Sequence, residues 1–361
     1  MKNYLCYFSI FLCILFNQST FAQNTINNNP QQLIQSQISQ WMAEYQIPGV
    51  AVGLYYQGHD YYYNFGVADK STNAPTTNNT IFELASVGKT LTSTLLGLCV
   101  EQKKCHLNDS VNRYIPQFAQ DPGAAINQVT LQQLATHTSG LPRAAIDLGV
   151  ADLQASNANE VLIQQLKLWQ PDYPVGTQYS YSNIGFALLG KAVTQALGVD
   201  YISAYSQYIF KPLQMNSSYV NVPNDQLERF AQGYNKKGNP SAHYPPSPWP
   251  GGGSISSTSA DMLQFLKAQL GVTQNGSPDL INAMQLTQQG YFPLNPHLTE
   301  GLAWQRLIKN NLLIIRKNGM NKGFNTYVAL APQHKIAIVI LANKRGVKPG
   351  KIANLILQEL S

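Results

Sequence analysis

Ser86 and Lys89 lie in Phe82-Glu83-Leu84-Ala85-Ser86-Val87-Gly88-Lys89-Thr90-Leu91, three residues apart at the start of a long apolar stretch. On a helix that spacing puts both side chains on one face, about 5–6 Å apart at Cβ. A serine hydroxyl is a weak nucleophile near neutral pH. A lysine within reach supplies either a base for its proton or a positive field that favours the alkoxide. With Ser86 in the opening turn of the helix, its own N–H is one of those left unpaired there and can steady the oxyanion of an attacked carbonyl. Ser-x-x-Lys is a short pattern that soluble helices also carry by chance, so it needs company.

Two further stretches supply it. Tyr179-Ser180-Tyr181-Ser182-Asn183 precedes a run in which Ile184, Ala187, Leu188, Ala192 and Val193 recur at helical spacing. A Tyr-x-Asn at a helix mouth projects a phenol and an amide to one side. Near two lysines the phenol favours its anion, making Tyr181 a candidate general base, while Asn183 can hold a substrate carbonyl and fix Lys89. Lys317-Asn318-Gly319-Met320 then follows an apolar strand-like run, Leu312 to Arg316. Gly319 lets a substrate approach the strand edge, the Met320 N–H is a second oxyanion donor, and Lys317 offers a cation to a substrate carboxylate. Read singly, the first of these is loop-and-cap chemistry and the second a surface strand end.

The elements that must position these residues are legible in outline. Pro30 to Tyr45 places Ile34, Ile38, Trp41, Met42 and Tyr45 on one helical face. Gly49 to Tyr56 and Asp60 to Val67 are strand-like and joined by Gln57-Gly58-His59, which predicts a hairpin. Leu312 to Arg316, Asn325 to Ala331 and Lys335 to Ala342 are three more strand-like runs, followed by a closing helix from Lys351 to Leu360. Thr258-Ser259-Ala260-Asp261 predicts a capping box for a helix from Met262 to Leu270. His243 to Gly253, rich in Pro and Gly, reads as a loop. The fold class is therefore α/β (α+β): an antiparallel sheet from both ends of the chain, flanked by helices, with a mostly helical region inserted. The α/β part is expected over 30–85 and 305–361 and the helical region over 86–215. Loops, strands and helices of 216–304 would close the cleft.

Composition bounds the function classes. The 361 residues, 44% hydrophobic, suffice for a substantial core. Lys2, the apolar run Leu5 to Phe16 and Thr20-Phe21-Ala22 read as a signal peptide over 1–22, cleaved after Ala22. The mature chain, 23–361, is expected in the periplasm or secreted, without stable membrane insertion. Phe11 and Leu12 ahead of Cys13 argue against a lipoprotein site. Cys6 and Cys13 leave with the leader, and Cys99 and Cys105 remain, as a small-loop disulfide or as two buried thiols. Net charge is +6, one less without Lys2, at a charged fraction of only 12%. No dense basic block appears, which excludes nucleic acid and suits a small anionic substrate.

Taken together the motifs resemble the serine β-lactamase and penicillin-binding superfamily, in the branch of class C β-lactamases with their carboxypeptidase and esterase relatives. Ser86-x-x-Lys89 is the superfamily's first element, and Tyr181-Ser182-Asn183 is the class C form of its second. The likeness extends through Pro48-Gly49-Val50-Ala51-Val52, Leu134-Ala135-Thr136-His137-Thr138-Ser139-Gly140-Leu141-Pro142, Trp169-Gln170-Pro171, Gly323-Phe324 and Leu341-Ala342-Asn343-Lys344, over nearly all of 30–361. It implies a serine β-lactamase/DD-peptidase-like fold and a monomer without cofactor or metal. It makes Ser86 the acylated nucleophile and Lys89 its activating partner. Tyr181 becomes the base for acylation and for the deacylating water. Asn183, Lys317, Asn318 and Gly319 bind substrate, and the N–H groups of Ser86 and Met320 form the oxyanion hole. The implied substrate is a β-lactam or a peptidoglycan stem peptide.

The chain departs from that pattern at three places. Asn318 stands where threonine is usual, Leu141-Pro142-Arg143-Ala144 lacks a glutamine common after Leu-Pro, and only 12 residues separate Trp304 from Lys317. The short segment predicts an open rim, closer to the peptidoglycan-trimming relatives. A catalytically weak wall-binding or sensor protein is the reading from another class, favoured by Asn318 alone. None of the six histidines forms a metal pattern, no Gly-x-Ser-x-Gly occurs, and Gly251-Gly252-Gly253 lacks the Lys-Ser/Thr of a phosphate loop. His137 reads as a turn histidine outside the catalytic apparatus. The tyrosines at 55–56 and 61–63 read as strand surface, with carbohydrate stacking a minor alternative.

Overall fold

The computed structural model describes residues 30–150, 152 and 155–361; the expected leader lies outside them. The sheet strands are β1 (Gly49–Tyr56), β2 (His59–Asp69), β3 (Ala74–Pro75), β4 (Phe292–Asn295), β5 (Leu298–Glu300), β6 (Gln305–Lys309), β7 (Leu312–Met320), β8 (Asn325–Ala331) and β9 (Ile336–Ala342). Among the described residues they form one antiparallel sheet in the order β3-β2-β1-β9-β8-β7-β6-β5-β4. The two ends of the chain thus meet at its centre, where β1 lies against β9.

Alternation explains the layering. Val50, Val52 and Leu54 of β1, with Ile336, Ile338 and Ile340 of β9, pack on one face with Ile34, Ile38 and Trp41 of the Pro30–Tyr45 helix and Ile356 and Leu357 of the Pro349–Leu360 helix. Ala51, Val339 and Leu341 point to the other face, into a larger core shared with the helical part of the chain. A strand buried on both faces reads as an unbroken apolar run, which is why β1 and β9 were plain in the sequence. The hairpin between β1 and β2 turns at Gln57 and Gly58, both with positive φ (50° and 84°), the backbone of a two-residue hairpin. Asn310 and Asn311 (φ 50° and 63°) turn β6 into β7 in the same way.

The family-like segment Asn343-Lys344 ties these layers together. Gly49 N–H donates to Asn343 Oδ1 (2.7 Å), and the Asn343 amide donates to the Val67 and Ala68 carbonyls. Lys344 Nζ donates to the carbonyls of Tyr45 and Gln46, where a cation complements the C-terminal end of the first helix.

Between β3 and β4 the chain is mainly helical. The Gly88–Glu101 helix is buried from Gly88 to Cys99, so it is covered all round instead of along one stripe, with Lys89, Thr90, Thr92, Ser93 and Thr94 among its buried residues. It packs on the Asn183–Leu197 and Pro278–Thr287 helices. Cys99 and Cys105 are both buried free thiols, so of the two sequence readings the structure carries the second. The helix expected over 262–270 runs Ser259–Gln269. Thr258 caps it by accepting from Asp261 N–H (3.1 Å), but the Asp261 carboxylate turns away to Ser217 N–H and the Ser218 hydroxyl, so the box is only half closed. The sheet differs from expectation in two respects: β7 runs on to Met320 instead of ending at Arg316, and β3, β4, β5 and β6 were not foreseen as sheet strands.

Candidate active site

Ser86 does not lie in the helix proper. Ala85–Val87 form a 3-10 turn just ahead of Gly88, with Ala85 at φ 49°. This turn is pinned from several sides. Leu84 N–H donates to Ile255 O (2.8 Å), and its carbonyl accepts from the Thr326 hydroxyl (2.7 Å). Gly319 sits against the same turn: a Cβ there would lie 2.3 Å from Leu84 O and 2.3 Å from Thr326 Oγ1. The glycine expected to admit substrate therefore makes room for the nucleophile's own turn.

Lys89, fully buried, reaches Ser86 Oγ at 3.4 Å and donates to Asn183 Oδ1 at 2.9 Å and to the Gly252 carbonyl. That carbonyl comes from the Gly251-Gly252-Gly253 run. Side chains there would strike the Phe186 and Ala85 carbonyls, each 2.6 Å from the Cβ positions of Gly251 and Gly253. The glycine run, read in the sequence as no phosphate loop, is a close backbone contact between the turn carrying Ser86 and the Asn183–Leu197 helix.

Tyr181 Oη donates to Ser86 Oγ at 2.7 Å. Its position is set by the residue between it and Asn183. The Ser182 hydroxyl caps the Asn183–Leu197 helix by accepting from Gly185 N–H (2.8 Å) and donates to Pro142 O (2.6 Å). With Ser182 turned inward, Tyr181 and Asn183 flank the nucleophile. His137, buried at φ 58°, accepts from Ser182 N–H through Nδ1 (3.2 Å) and lays its ring 4.1 Å from the Tyr181 ring. It touches Tyr181 as a platform and, among the described residues, makes no hydrogen bond with Ser86.

Lys317 is buried, with Nζ 5.4 Å from the centre of the Tyr181 ring. Strand alternation decides what accompanies it. Lys317 and Gly319 face inward, whereas Asn318 and Met320 are exposed on the opposite side of β7. There they border a cavity of about 620 Å³ with Lys236, Arg316, Lys348 and Lys351. Asn318, expected beside Lys317 in the substrate site, is thereby separated from Ser86 and Tyr181. The ladder explains the free edge: β6 pairs with β7 only as far as Gln305↔Arg316, whereas β8 follows to Asn325↔Met320. Beyond Arg316 the outer edge of β7 has no ladder partner, so its N–H and C=O groups are open to a substrate backbone.

Electrostatics correct the expectation of a resting phenolate. Burial raises the Tyr181 phenol to about 12, against the hydrogen bond to Ser86 and the Arg143 charge, which lower it. Burial, then the charges of Lys317 and Arg143, hold Lys89 well below the ordinary lysine range. Burial also lowers Lys317, opposed by Glu300, and makes His137 a neutral imidazole. Desolvation is the largest influence at every one of these groups and pushes each toward its neutral form; neighbouring cations reinforce it at Lys89 and His137, while Glu300 opposes it at Lys317 and Arg143 at Tyr181.

A family model described as Beta-lactamase matches residues 34–360. The chain belongs to the beta-lactamase family. It is 30% identical to a beta-lactamase of Psychrobacter immobilis, over 93% of this chain and 89% of the relative. Among solved structures it superposes on a class C beta-lactamase with a TM-score of 0.85 at 31% identity, covering 94% of this chain and 98% of that one. A beta-lactamase/D-alanine carboxypeptidase from Pseudomonas syringae aligns with a TM-score of 0.83 at 29% identity, over 91% of this chain and 98% of its own.

Within this family member the fold also gathers residues that sequence reasoning did not assign to the site. Arg143 stacks its guanidinium 5.0 Å from the Tyr181 ring centre, at the position noted only for lacking glutamine. Glu300 ends β5 with its side chain fully buried, 4.0 Å from Lys317 Nζ. Glu83, three residues before the nucleophile, accepts from the Asn321 amide and Tyr244 N–H (2.9 Å) and pairs with the His243 ring (3.0 Å). The only sequence signal for Glu83 was a carboxylate inside a buried run; Glu300 had none.

Proposed function

We propose that this protein is an exported serine hydrolase of the class C kind that opens the β-lactam amide through an acyl-enzyme on Ser86, residues 1–22 being removed on export and 23–361 forming the catalytic unit. One observation carries the reading: Ser86 Oγ is held between Tyr181 Oη at 2.7 Å and Lys89 Nζ at 3.4 Å. A neutral lysine has two N–H groups and one lone pair. Asn183 Oδ1 and the Gly252 carbonyl take up the two N–H groups, leaving the lone pair for the Ser86 proton.

Lys89 takes that proton as Oγ bonds to the lactam carbonyl carbon, and the N–H groups of Ser86 and Met320 hold the oxyanion. The C–N bond then breaks as Tyr181, a neutral phenol at rest, gives its proton to the leaving nitrogen. Lys89 restores the tyrosine proton, and the same pair deprotonates the water that releases the acyl group. Asn183 orients the substrate amide, and Lys317 faces its carboxylate.

A D-Ala-D-Ala carboxypeptidase is the second reading. It is favoured by the tight β6–β7 hairpin between Trp304 and Lys317 and by the carboxypeptidase named among the structural neighbours. Both share acylation and differ in how fast water clears the adduct. Intact mass followed after mixing with excess benzylpenicillin separates them, with Ser86→Ala as control. An adduct that appears and clears as penicilloate accumulates supports the β-lactamase, a persistent one on Ser86 the carboxypeptidase. Absence of any adduct removes β-lactams from the account and leaves an esterase of other substrates or the wall-binding reading.

A further inference from the structure

Glu300 is fully buried, and neither of its carboxylate oxygens has a hydrogen-bond partner among the described residues. A buried carboxylate without hydrogen bonds is among the costlier groups a fold can carry, and such groups concentrate at functional sites. Its setting is specific. In the sheet Glu300 lies opposite Gln305 of β6 and Phe292 of β4. From β7, Lys317 brings its ammonium to 4.0 Å and Arg316 acts on it from further away. From the segment before the Asn183–Leu197 helix, the phenols of Tyr179 and Tyr181 both feel its charge. Lys89, Arg143 and His137 complete the ring of titratable groups around Lys317 and Tyr181. Glu300 is the one acid in direct reach of Lys317 among these groups.

We infer that Glu300 is a positioning residue for the reaction: its carboxylate is the counter-charge that keeps the buried Lys317 protonated beneath Tyr181. The site requires one. Burial alone drives Lys317 toward the neutral amine, as it drives Lys89, yet the two lysines have opposite tasks. Lys89 works as a base and benefits from losing its proton, whereas Lys317 faces the substrate carboxylate and must keep it. Lys89 is surrounded by neutral acceptors and cations; Lys317 alone has an anion. One buried carboxylate on β5 thus separates two lysines that sequence and burial would make alike. Burial raises Glu300 itself to about 7, against Lys317 and the Gln305 side chain, so it is ionised where alkaline pH threatens the Lys317 proton.

This inference rests on the hydrolase reading, and the test separates the two. Acylation of Ser86 by benzylpenicillin is followed by intact mass from pH 6 to pH 9.5 in wild type, Glu300→Gln and Glu300→Asp. In Glu300→Gln the ratio of the acylation rate at pH 9 to that at pH 7 should fall about tenfold below wild type, as expected for an opposite charge removed at this distance. Glu300→Asp keeps the charge and should bring the ratio back to within about threefold. A uniform loss at all pH values, or an unchanged profile, overturns the proposal, since a purely structural carboxylate would lower the rate without moving the limb. Should wild type form no adduct, the hydrolase reading fails, and the pair is read by thermal unfolding instead. A group raised to about 7 loses its contribution to stability as pH climbs from the ordinary glutamate range through 7, so wild type should lose Tm relative to Glu300→Gln between pH 5 and pH 8. A pH-independent difference overturns the assignment without reference to turnover.

Discussion

Replacing Gly319 with alanine adds one methyl group at the most constrained point of the site. Its Cβ would fall 2.3 Å from the Leu84 carbonyl oxygen and 2.3 Å from Thr326 Oγ1, with Val87 N at 3.1 Å. Two of these three neighbours are backbone atoms of the turn carrying Ser86, and the third is the hydroxyl that donates to Leu84 O. No flexible side chain is available to yield. Restoring ordinary contact requires β7 and the Ser86 turn to part by about 1 Å. Misplacement of that size costs roughly 100-fold in rate, or about 2.7 kcal/mol of transition-state stabilisation. The overpacked seam should also cost about 1–3 kcal/mol of stability, a Tm loss of a few degrees in a chain of this size. The readouts are initial rates with a chromogenic cephalosporin, acylation by intact mass, and circular-dichroism melts. An alanine variant within threefold of wild-type rate and 1 °C of its Tm would refute the claim that Gly319 serves the nucleophile's turn.

Two further outcomes follow from the same contacts. Arg143→Ala removes a cation that lowers both Lys89 and Tyr181, so both should rise and the acid limb of kcat/KM should move to higher pH, with the rate near pH 6 falling a few-fold; because Arg143 is exposed, high salt should shrink the difference between wild type and variant. Glu83→Ala strips the acceptor from the Asn321 amide and Tyr244 N–H, at about 1–3 kcal/mol for each donor left unpaired. It should lower Tm and, by loosening the loop that leads to Gly252, slow acylation more than it weakens substrate binding in pre-steady-state measurements.

What the sequence disclosed depended on how local each signal is. Ser86 with Lys89, and Tyr181 with Asn183, are paired by helix-turn geometry within a few residues, so spacing made them candidates, and their combination with Lys317 and the family resemblance gave them weight. The central strands β1 and β9 are apolar without a break because both faces are covered, and their limits were nearly right. The side of β7 on which Asn318 points was missed because the strand was read as ending at Arg316, whereas alternation continues to Met320 and turns Asn318 away from Lys317. Glu300 was beyond reach for a different reason. It sits on a three-residue strand, too short to show a period, and meets Lys317 only through two ladder steps, Glu300↔Gln305 and Gln305↔Arg316.

The sign of the electrostatics was missed for a reason that also accounts for the glycines. Two lysines near a phenol imply a phenolate only if the lysines keep their charge, and that presumes water around them. Lys89 has none: it is wholly enclosed, by the Gly252 carbonyl and the Ser86 hydroxyl, the Asn183 side chain and the rings of Tyr181 and Phe186. Backbone approaches that closely only where side chains are missing, and Gly251 and Gly253 supply the gaps. The close glycine packing thus adds to the side chains that keep solvent from the amine, and loss of solvent lowers its proton affinity. The same exclusion raises the phenol, so in the proposed mechanism the pair meets a substrate as neutral amine and neutral acid, which would take a proton from Ser86 and give one to the leaving nitrogen without net charge entering a buried site. In the proposed mechanism, then, the base is made by Gly251 and Gly253 as much as by Lys89, and Glu300 is the acid that opposes the same loss of charge at Lys317.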